Sequence, residues 1–557
     1  MRVKKTKKLL ELYAVSGTNT VVLSIDMKEK PTDLLGFAFE REETESKKRI
    51  WLEGQKFFKS VINIEKKDLD KVKGQKYPSY LHPIQSFLWK DFTVIPGKEY
   101  TYIVTCMTGS PQSPIRGLSE EITISAEEHV KENQGIYFNR GVSGSQSYTE
   151  NFGFDKPFDL EEKIIDQKAA DWLSKGLYEG MKAFIKSAKK GQKIRGAFYE
   201  FHYPALLLEL KEAKKRGVNI QVVYDAINYG EENAAGVKAT GTSTLIKHVR
   251  DNEVTQAHNK FFVIVGANDV ALRVWTGSTN ISAKGIYGHC NTGHLIKDRK
   301  IASKYYEYWK LVDKNLSKKE YRIAVENLKD GLDVEAVDIP QGISVFFSPR
   351  KTNNMLQVYA DMVGSASEMV CCVYPFNVDK RFQKVFEIDK EFIRYILLDK
   401  RQKFNTFATD DKDVEVTAGA YIHSAVDNWV GETSAGKLIK TGIDFLHNKF
   451  ILIDPLGETP IVISGSANFS ENSTSKNDEN TLIIKGNDWV ADIYFTDYVR
   501  LFDHFSFREW LNSHTSVFNP YLDETGKWIN KYFDNPKYLN VKRKLVFKNM
   551  ARAIEGK

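Results

Sequence analysis

The sequence predicts an α/β protein in which one unit is used twice, set behind an all-β amino-terminal region. Three observations carry this. The first 125 or so residues contain no long segment with a 3.6-residue apolar period. From about Gly135 onward, strand-like and helix-like stretches alternate, which argues for an α/β sheet. The chain also repeats itself: "HNKFFVIV…GSTNIS", starting at His258, returns as "HNKFILID…GSANFS", starting at His447, a period far too long for a solenoid.

In "TVIPGKEYTYIVTCMTG" (93–109), Pro96-Gly97 makes a turn, and Tyr100, Tyr102, Val104 and Cys106 then alternate with polar residues, as in a half-buried strand. The stretch resembles the end of a fibronectin type III or similar β-sandwich, which sets an all-β, sandwich-like domain over residues 1–127. Next, "KIRGAFYEF" (193–201) reads as a strand. Pro204 opens a helix, "ALLLELKEAKKR" fills it and Gly217 closes it. "NIQVVYDA" (219–226) is the following strand, and this first α/β half is expected over 128–335. Its landmarks return further on. "QGIYFNR" (134–140) is echoed by "QGISVFFSPR" (341–350), and "MKAFIKSAKKGQKIRGAFYEF" more distantly by "MLQVYADMVGSASEMVCCVYPF" (355–376). A second half therefore spans 336–515, and a basic carboxy-terminal tail 516–557. Two copies packed about a pseudo-two-fold axis would bring their repeated motifs face to face.

Composition narrows the classes. A chain of 557 residues has room for about three domains. No apolar run approaches the ~18 residues of a membrane-spanning helix. The start, "MRVKKTKKLLELYAV", is basic like a signal peptide, but its apolar run is short, includes Glu11 and leads into polar "SGTNT", so a cytoplasmic protein is expected. Cys106 and Cys290 stand alone, while Cys371 and Cys372 are adjacent in a strand and point to opposite faces. That spacing suits neither a zinc site nor a disulfide framework, and the four are expected as buried free thiols. Net charge is only +7, but "KAFIKSAKKGQKIRG" (182–196) and "KYLNVKRKLVFKNMARAIEGK" (537–557) are locally basic. Such stretches favour a polyanionic partner, either nucleic acid or an anionic membrane face.

The chemistry lies in the repeat. One His-x-Lys is common by chance, but here it occurs twice, each time followed by Gly-Ser-x-Asn at the end of the next strand. This pattern resembles the phospholipase D superfamily, marked by H-x-K-x4-D and then G-S-x-N in duplicate, over roughly residues 130–515. The resemblance implies duplicated phospholipase D-like α/β/α domains and phosphodiester chemistry. In that chemistry one histidine would attack phosphorus to form a phosphohistidine, and the other would protonate the leaving oxygen and then activate water. Histidine suits both tasks because its ordinary pKa lies near neutrality. Lys260 and Lys449 would neutralise the non-bridging oxygens, and Asn280 and Asn468 would donate hydrogen bonds to them. With two lysines in that role, neither a metal ion nor a cofactor is expected.

The copies differ. The second is complete: His447, Lys449, Asp454, Gly465, Ser466, Asn468 and Glu479. The first has His258, Lys260, Gly277, Ser278 and Asn280, but Val265 stands in place of Asp454, and Asn291 in place of Glu479. In the superfamily the acidic residue after one G-S-x-N orients a catalytic histidine. If that pairing crosses the axis, Glu479 supports His258 and neutral Asn291 supports His447, which suits His258 as nucleophile and His447 as general acid. Asp454 is expected to anchor local backbone, a task another contact could fill in the first half.

For the substrate, a nuclease acting on DNA or RNA is the leading expectation, given the basic stretches and a reduced first motif like that of tyrosyl-DNA phosphodiesterases. Trp429 and His423, in "IHSAVDNWVGETSAG", are candidate groove residues for stacking on bases. The alternative is a phospholipase D or transphosphatidylating synthase acting on phospholipid headgroups at a membrane. A third is a non-catalytic phosphate-binding scaffold. The amino-terminal domain is expected to present substrate or bind a protein partner, and the sequence leaves the oligomeric state open.

Overall fold

The computed structural model describes residues 1–64, 72, 75–153, 157–159, 161–251, 256–328, 338–399, 413–419, 446–513 and 519–555. The amino-terminal region is built from antiparallel sheets. One holds the strands Arg2–Lys7, Leu10–Ser16, Val21–Met27 and Leu88–Asp91; the other holds Ser113–Ser125, Glu99–Ser110, Gly36–Glu43 and Arg49–Trp51. Tyr100, Tyr102, Val104 and Cys106 lie on the buried face of their strand and meet Leu12, Leu23, Phe37 and Phe39 in one core. The period-2 pattern thus faces the interior as an alternating strand requires.

The two α/β halves share one strand order. In the first the order is Gln134–Phe138, Thr292–Ile296, Ala271–Gly277, Lys260–Val265, Lys193–Phe198, Asn219–Asp225 and Ile246–Arg250, with the short Val130–Lys131 strand added at one edge. In the second it is Gly342–Ser348, Glu479–Lys485, Ile461–Gly465, Phe450–Ile453, Met369–Tyr374, Ile393–Leu398 and Val414–Ala418. Each central strand that precedes a histidine motif (Lys193–Phe198 or Met369–Tyr374) pairs parallel on one side and antiparallel with the motif strand on the other. The helix Pro204–Lys215 has proline in its first turn, and Gly217, at φ +88°, ends the turn that follows it. All four cysteines are buried free thiols, with Cys371 and Cys372 in different core clusters on opposite faces of their strand.

The carboxy-terminal segment is part of the folded body. Trp528, Ile529 and Tyr532 enter the core of the amino-terminal sandwich, and the Trp528 indole N–H donates to the Leu34 carbonyl at 3.2 Å. The helix Leu539–Glu555 buries Val546, Phe547 and Met550 in the main core. Three of its basic residues are spent on carboxylates: Lys542 on Asp413 at 2.5 Å, Arg543 on Glu415 at 2.6 Å and Lys544 on Asp26 at 2.9 Å. The expectation that this tail offers a free polyanion-binding patch is corrected for these three residues, because an amphipathic helix turns them onto acidic neighbours. Lys542 reaches Glu391 and Asp413, which precede the strands Ile393–Leu398 and Val414–Ala418.

The halves are joined by a fully buried ion pair. The Arg250 guanidinium donates to Asp478 at 2.6 Å, both side chains are 0 % exposed, and Arg250 also lies 4.2 Å from the centre of the Tyr321 ring. Removing one member leaves the other charged and buried, so Arg250→Met should lower the unfolding free energy by about 3–5 kcal/mol. Replacing both (Arg250→Met with Asp478→Leu) should recover most of that loss. Urea titration of the full chain measures both; a single variant as stable as wild type would show that the pair does not tie the halves together.

Candidate active site

The repeated glycines show how the backbone shapes the site. A Cβ on Gly277, at φ +145°, would come within 2.2 Å of the Thr292 carbonyl oxygen, and one on Gly465 within 2.2 Å of that of Asn480. Only glycine lets the strand ends close up there. The next residue fastens the contact. Ser278 Oγ accepts from the Thr292 N–H at 3.0 Å and donates to Asn291 Oδ1 at 2.8 Å, while Ser466 Oγ accepts from the Asn480 N–H at 3.0 Å. Gly-Ser thus fixes the start of the next strand, at Asn291–Thr292 in the first half and Glu479–Asn480 in the second.

Those two residues cross to the opposite half. His258 Nδ1 lies 3.1 Å from Glu479 Oε2, and His447 Nδ1 lies 2.9 Å from Asn291 Oδ1. A carboxylate only accepts, so Nδ1 of His258 carries hydrogen. Asn291 Nδ2 is committed to the Gly285 carbonyl at 2.8 Å, which orients the amide and makes Nδ1 of His447 a donor too. Each histidine is left with Nε2 for chemistry. The middle residue of each His-Asn-Lys also crosses: Asn480 Nδ2 donates to Asn259 Oδ1 at 2.9 Å, and Thr292 Oγ1 to Asn448 Oδ1 at 2.8 Å. The two imidazoles face each other with centres 6.4 Å apart and planes at 70°.

His258, His447, Asn280 and Asn468 line one cavity of about 880 Å³. Lys260 and Lys449 are buried close by, each donating from Nζ to its own motif's histidine carbonyl, at 2.8 Å and 2.6 Å. Burial pushes Lys260 down to about 7, against the pull of Glu479, Glu200 and Asp225. An anionic phosphate in the cavity would restore its charge. Asp454, at φ +44°, sits away from the cavity. Its carboxylate accepts from the backbone N–H groups of Ser367, Glu368 and Met369 at 2.7–2.9 Å, fixing the chain as it enters the central strand. In the first half, where Val265 holds that position, Lys193 at the start of the matching strand pairs with Asp269 at 2.7 Å. Trp429 and His423 lie outside the described residues.

Sequence reasoning passed over several residues here. Glu200 is buried, accepts from Asn280 Nδ2 and lines the cavity; burial raises its pKa, while a hydrogen bond from Ser282 opposes this. Tyr199 packs edge-on against His258 at 4.9 Å and under the Lys260 ammonium at 5.2 Å. His289 has its ring centre 5.6 Å from that of His447. Asn259 and Asn448 had a signal, being identical in both copies. Glu200 and His289 had none, because neither position repeats.

Two segments, residues 181–311 and 365–496, match the family model described as "Cardiolipin synthase, PLD-like domain". No curated protein matches the chain. Among solved structures, phosphatidylserine synthase of Haemophilus influenzae aligns at 15 % identity over 68 % of this chain and 94 % of its own, with a TM-score of 0.41. The phospholipase D family member Nuc from Salmonella typhimurium aligns at 28 % identity over 24 % of this chain and 84 % of its own, with a TM-score of 0.21. Polyphosphate kinase of Porphyromonas gingivalis aligns at 10 % identity over 60 % of this chain, with a TM-score of 0.39; the chain spans about half of that protein, 48 %.

The buried histidines leave a mark on stability. Burial, with Lys260 next, lowers His258 to about 4; burial, with Lys449 next, holds His447 well below the ordinary imidazole value. Unfolded, both would take up a proton near pH ~6.5. Between about pH 6.5 and 4 the unfolded chain therefore binds more protons, so stability is complete above that window and falls as pH drops through it. Denaturant titrations at pH 7 and pH 5 should show a smaller pH-dependent loss in His258→Asn and His447→Asn than in wild type. Equal losses in all three would mean that these imidazoles titrate normally in the fold.

Proposed function

Since residues 181–311 and 365–496 of this chain are phospholipase D-like domains, we propose that it cleaves or transfers a phosphodiester in two steps through a phosphohistidine on His258. The observation that carries this is the crossed pair of hydrogen bonds, His258 to Glu479 and His447 to Asn291. In the first step the charge of the bound phosphodiester favours a proton on His447 Nε2; His258 Nε2 bonds to phosphorus, the bond from phosphorus to the leaving oxygen breaks, and His447 gives that oxygen its Nε2 proton. In the second, water or an alcohol attacks, the P–N bond breaks, and His447 takes the acceptor's proton. Glu479 stabilises the cationic His258 of the intermediate, and neutral Asn291 leaves His447 readier to give its proton up. A hydrolase and a transferase differ only in the acceptor of the second step.

An isolated phosphodiester, of the kind that joins a phospholipid to its headgroup, fits better than a polynucleotide. The cavity lining sets four glutamates, Glu161, Glu162, Glu200 and Glu232, against two lysines, Lys163 and Lys284, a balance that would oppose a strand carrying a charge at every nucleotide. Two residues of the basic stretches that favoured nucleic acid, Lys193 and Lys542, also lie elsewhere. Lys193 starts the strand whose far end leads into the cavity, about 20 Å away at ~3.3 Å per residue. The Leu539–Glu555 helix is paired at the starts of two strands of the second half.

Assays in excess EDTA on vesicles of phosphatidylcholine or phosphatidylglycerol, and on single- and double-stranded DNA and RNA, test this directly. Wild type should release headgroup and leave nucleic acids intact, while His258→Asn and His447→Asn each lose about 10³-fold or more. Acid quenching with a ³²P-labelled substrate should place label on His258. Cleavage of DNA or RNA in preference to lipid would return the protein to the nuclease branch, and label on His447 would reverse the two roles.

A further inference from the structure

His289 stands two residues before Asn291, in "GHCNT"; the matching place in the second half, two residues before Glu479 in "KNDEN", is Asn477. The two residues are used differently. Asn477 Nδ2 donates to Glu479 Oε1 at 3.0 Å and to Gln256 Oε1 at 3.3 Å, so it braces the carboxylate that holds His258. The His289 ring braces no described residue by a hydrogen bond. Among the described residues neither of its buried ring nitrogens has a hydrogen-bond partner. Its backbone, by contrast, is clamped: the N–H donates to the Lys284 carbonyl at 2.8 Å, and the carbonyl accepts from Asn139 Nδ2 at 2.6 Å. The ring lines the same cavity as both motif histidines, and it lies beside His447.

Two unmet buried polar atoms cost about 1–3 kcal/mol each, and an imidazole fixed in place at that cost in a reaction cavity points to a group that binds there. The two-step chemistry says which. The leaving oxygen departs from the face of phosphorus opposite His258, and the acceptor of the second step enters through that same face, next to His447. We propose that His289 is a third catalytic imidazole, binding the acceptor oxygen, of water or of an alcohol, beside His447 during breakdown of the phosphohistidine. The acceptor's O–H bond breaks, its proton passes to His447 Nε2, its oxygen bonds to phosphorus, and the P–N bond to His258 opens. His289 holds the oxygen by hydrogen bonding and keeps its own proton count. Burial, with Lys449 and Lys284 next in effect, pushes His289 down to about 3, so at neutral pH it offers one donor and one acceptor without charge.

This inference rests on the two-step reading, and one experiment separates them. Bis(p-nitrophenyl) phosphate has a leaving group that needs no proton, so the p-nitrophenolate burst reports the first step, and decay of the trapped phosphohistidine reports the second. His289→Phe keeps a ring but no nitrogen, and His289→Asn installs the residue of the other half. In both, the burst should stay close to wild type while phosphohistidine breakdown slows by about 10- to 100-fold and the intermediate accumulates, with Asn the milder change. Added glycerol should shift the ratio of alcoholysis to hydrolysis away from the wild-type value. Equal slowing of both steps, or no change in either, in the variant that folds would overturn the role of His289. If wild type itself shows neither burst nor phosphohistidine, the two-step reading falls and this inference falls with it.

Discussion

Each histidine of the cleft is held by the other half of the chain, and the rest of the architecture serves that exchange. Glu479 reaches across to His258, Asn291 reaches across to His447, and Asn480–Asn259 and Thr292–Asn448 bond alongside them. A histidine held this way has a fixed tautomer only while both halves are docked. The buried Arg250–Asp478 pair ends one residue before Glu479, so the contact that ties the halves together also sets the carboxylate behind His258. Pairing the ions where neither can reach water makes the docked state specific, because any misfit would leave a charge buried alone.

Duplication supplies symmetry, and a few substitutions break it. A carboxylate behind His258 and an amide behind His447 put two chemically identical side chains in different electrostatic surroundings. The same asymmetry extends one layer out, to Asn477 on one side and His289 on the other, and to the cavity wall, where Glu200 of the first half contacts Asn280. Val265 fits this picture without any loss of the site. Asp454 does its work at the far end of the motif strand, on backbone N–H groups, and Lys193 with Asp269 holds the corresponding corner of the first half.

Charge placement guides the choice of substrate more than charge total. A net charge of +7 and two basic stretches suggested a polyanion, yet the fold places Lys193 at the strand end away from the cavity and turns Lys542, Arg543 and Lys544 onto carboxylates. The cavity, meanwhile, is lined with four glutamates and two lysines, Lys163 and Lys284. Likewise, the carboxy-terminal segment completes the amino-terminal sandwich through Trp528 and Tyr532, so the two ends of the chain share one core.

What the sequence determined by itself was whatever is local or repeated. Alternation marked the strand at Tyr100–Cys106, proline and glycine bounded the helix at Pro204, and the doubled His-x-Lys and Gly-Ser-x-Asn gave the duplication, because independent copies of a spacing are hard to produce by chance. Comparing the copies even suggested the crossed pairing of Glu479 and Asn291. Only the tertiary structure decided what depends on contacts between distant positions that do not repeat. Glu200 meets Asn280 80 positions away, and His289 meets His447 158 positions away. The basic tail looked free for the same reason: its partners at Asp26, Asp413 and Glu415 are assigned by packing, and no spacing along the chain records which carboxylate a buried helix face will meet.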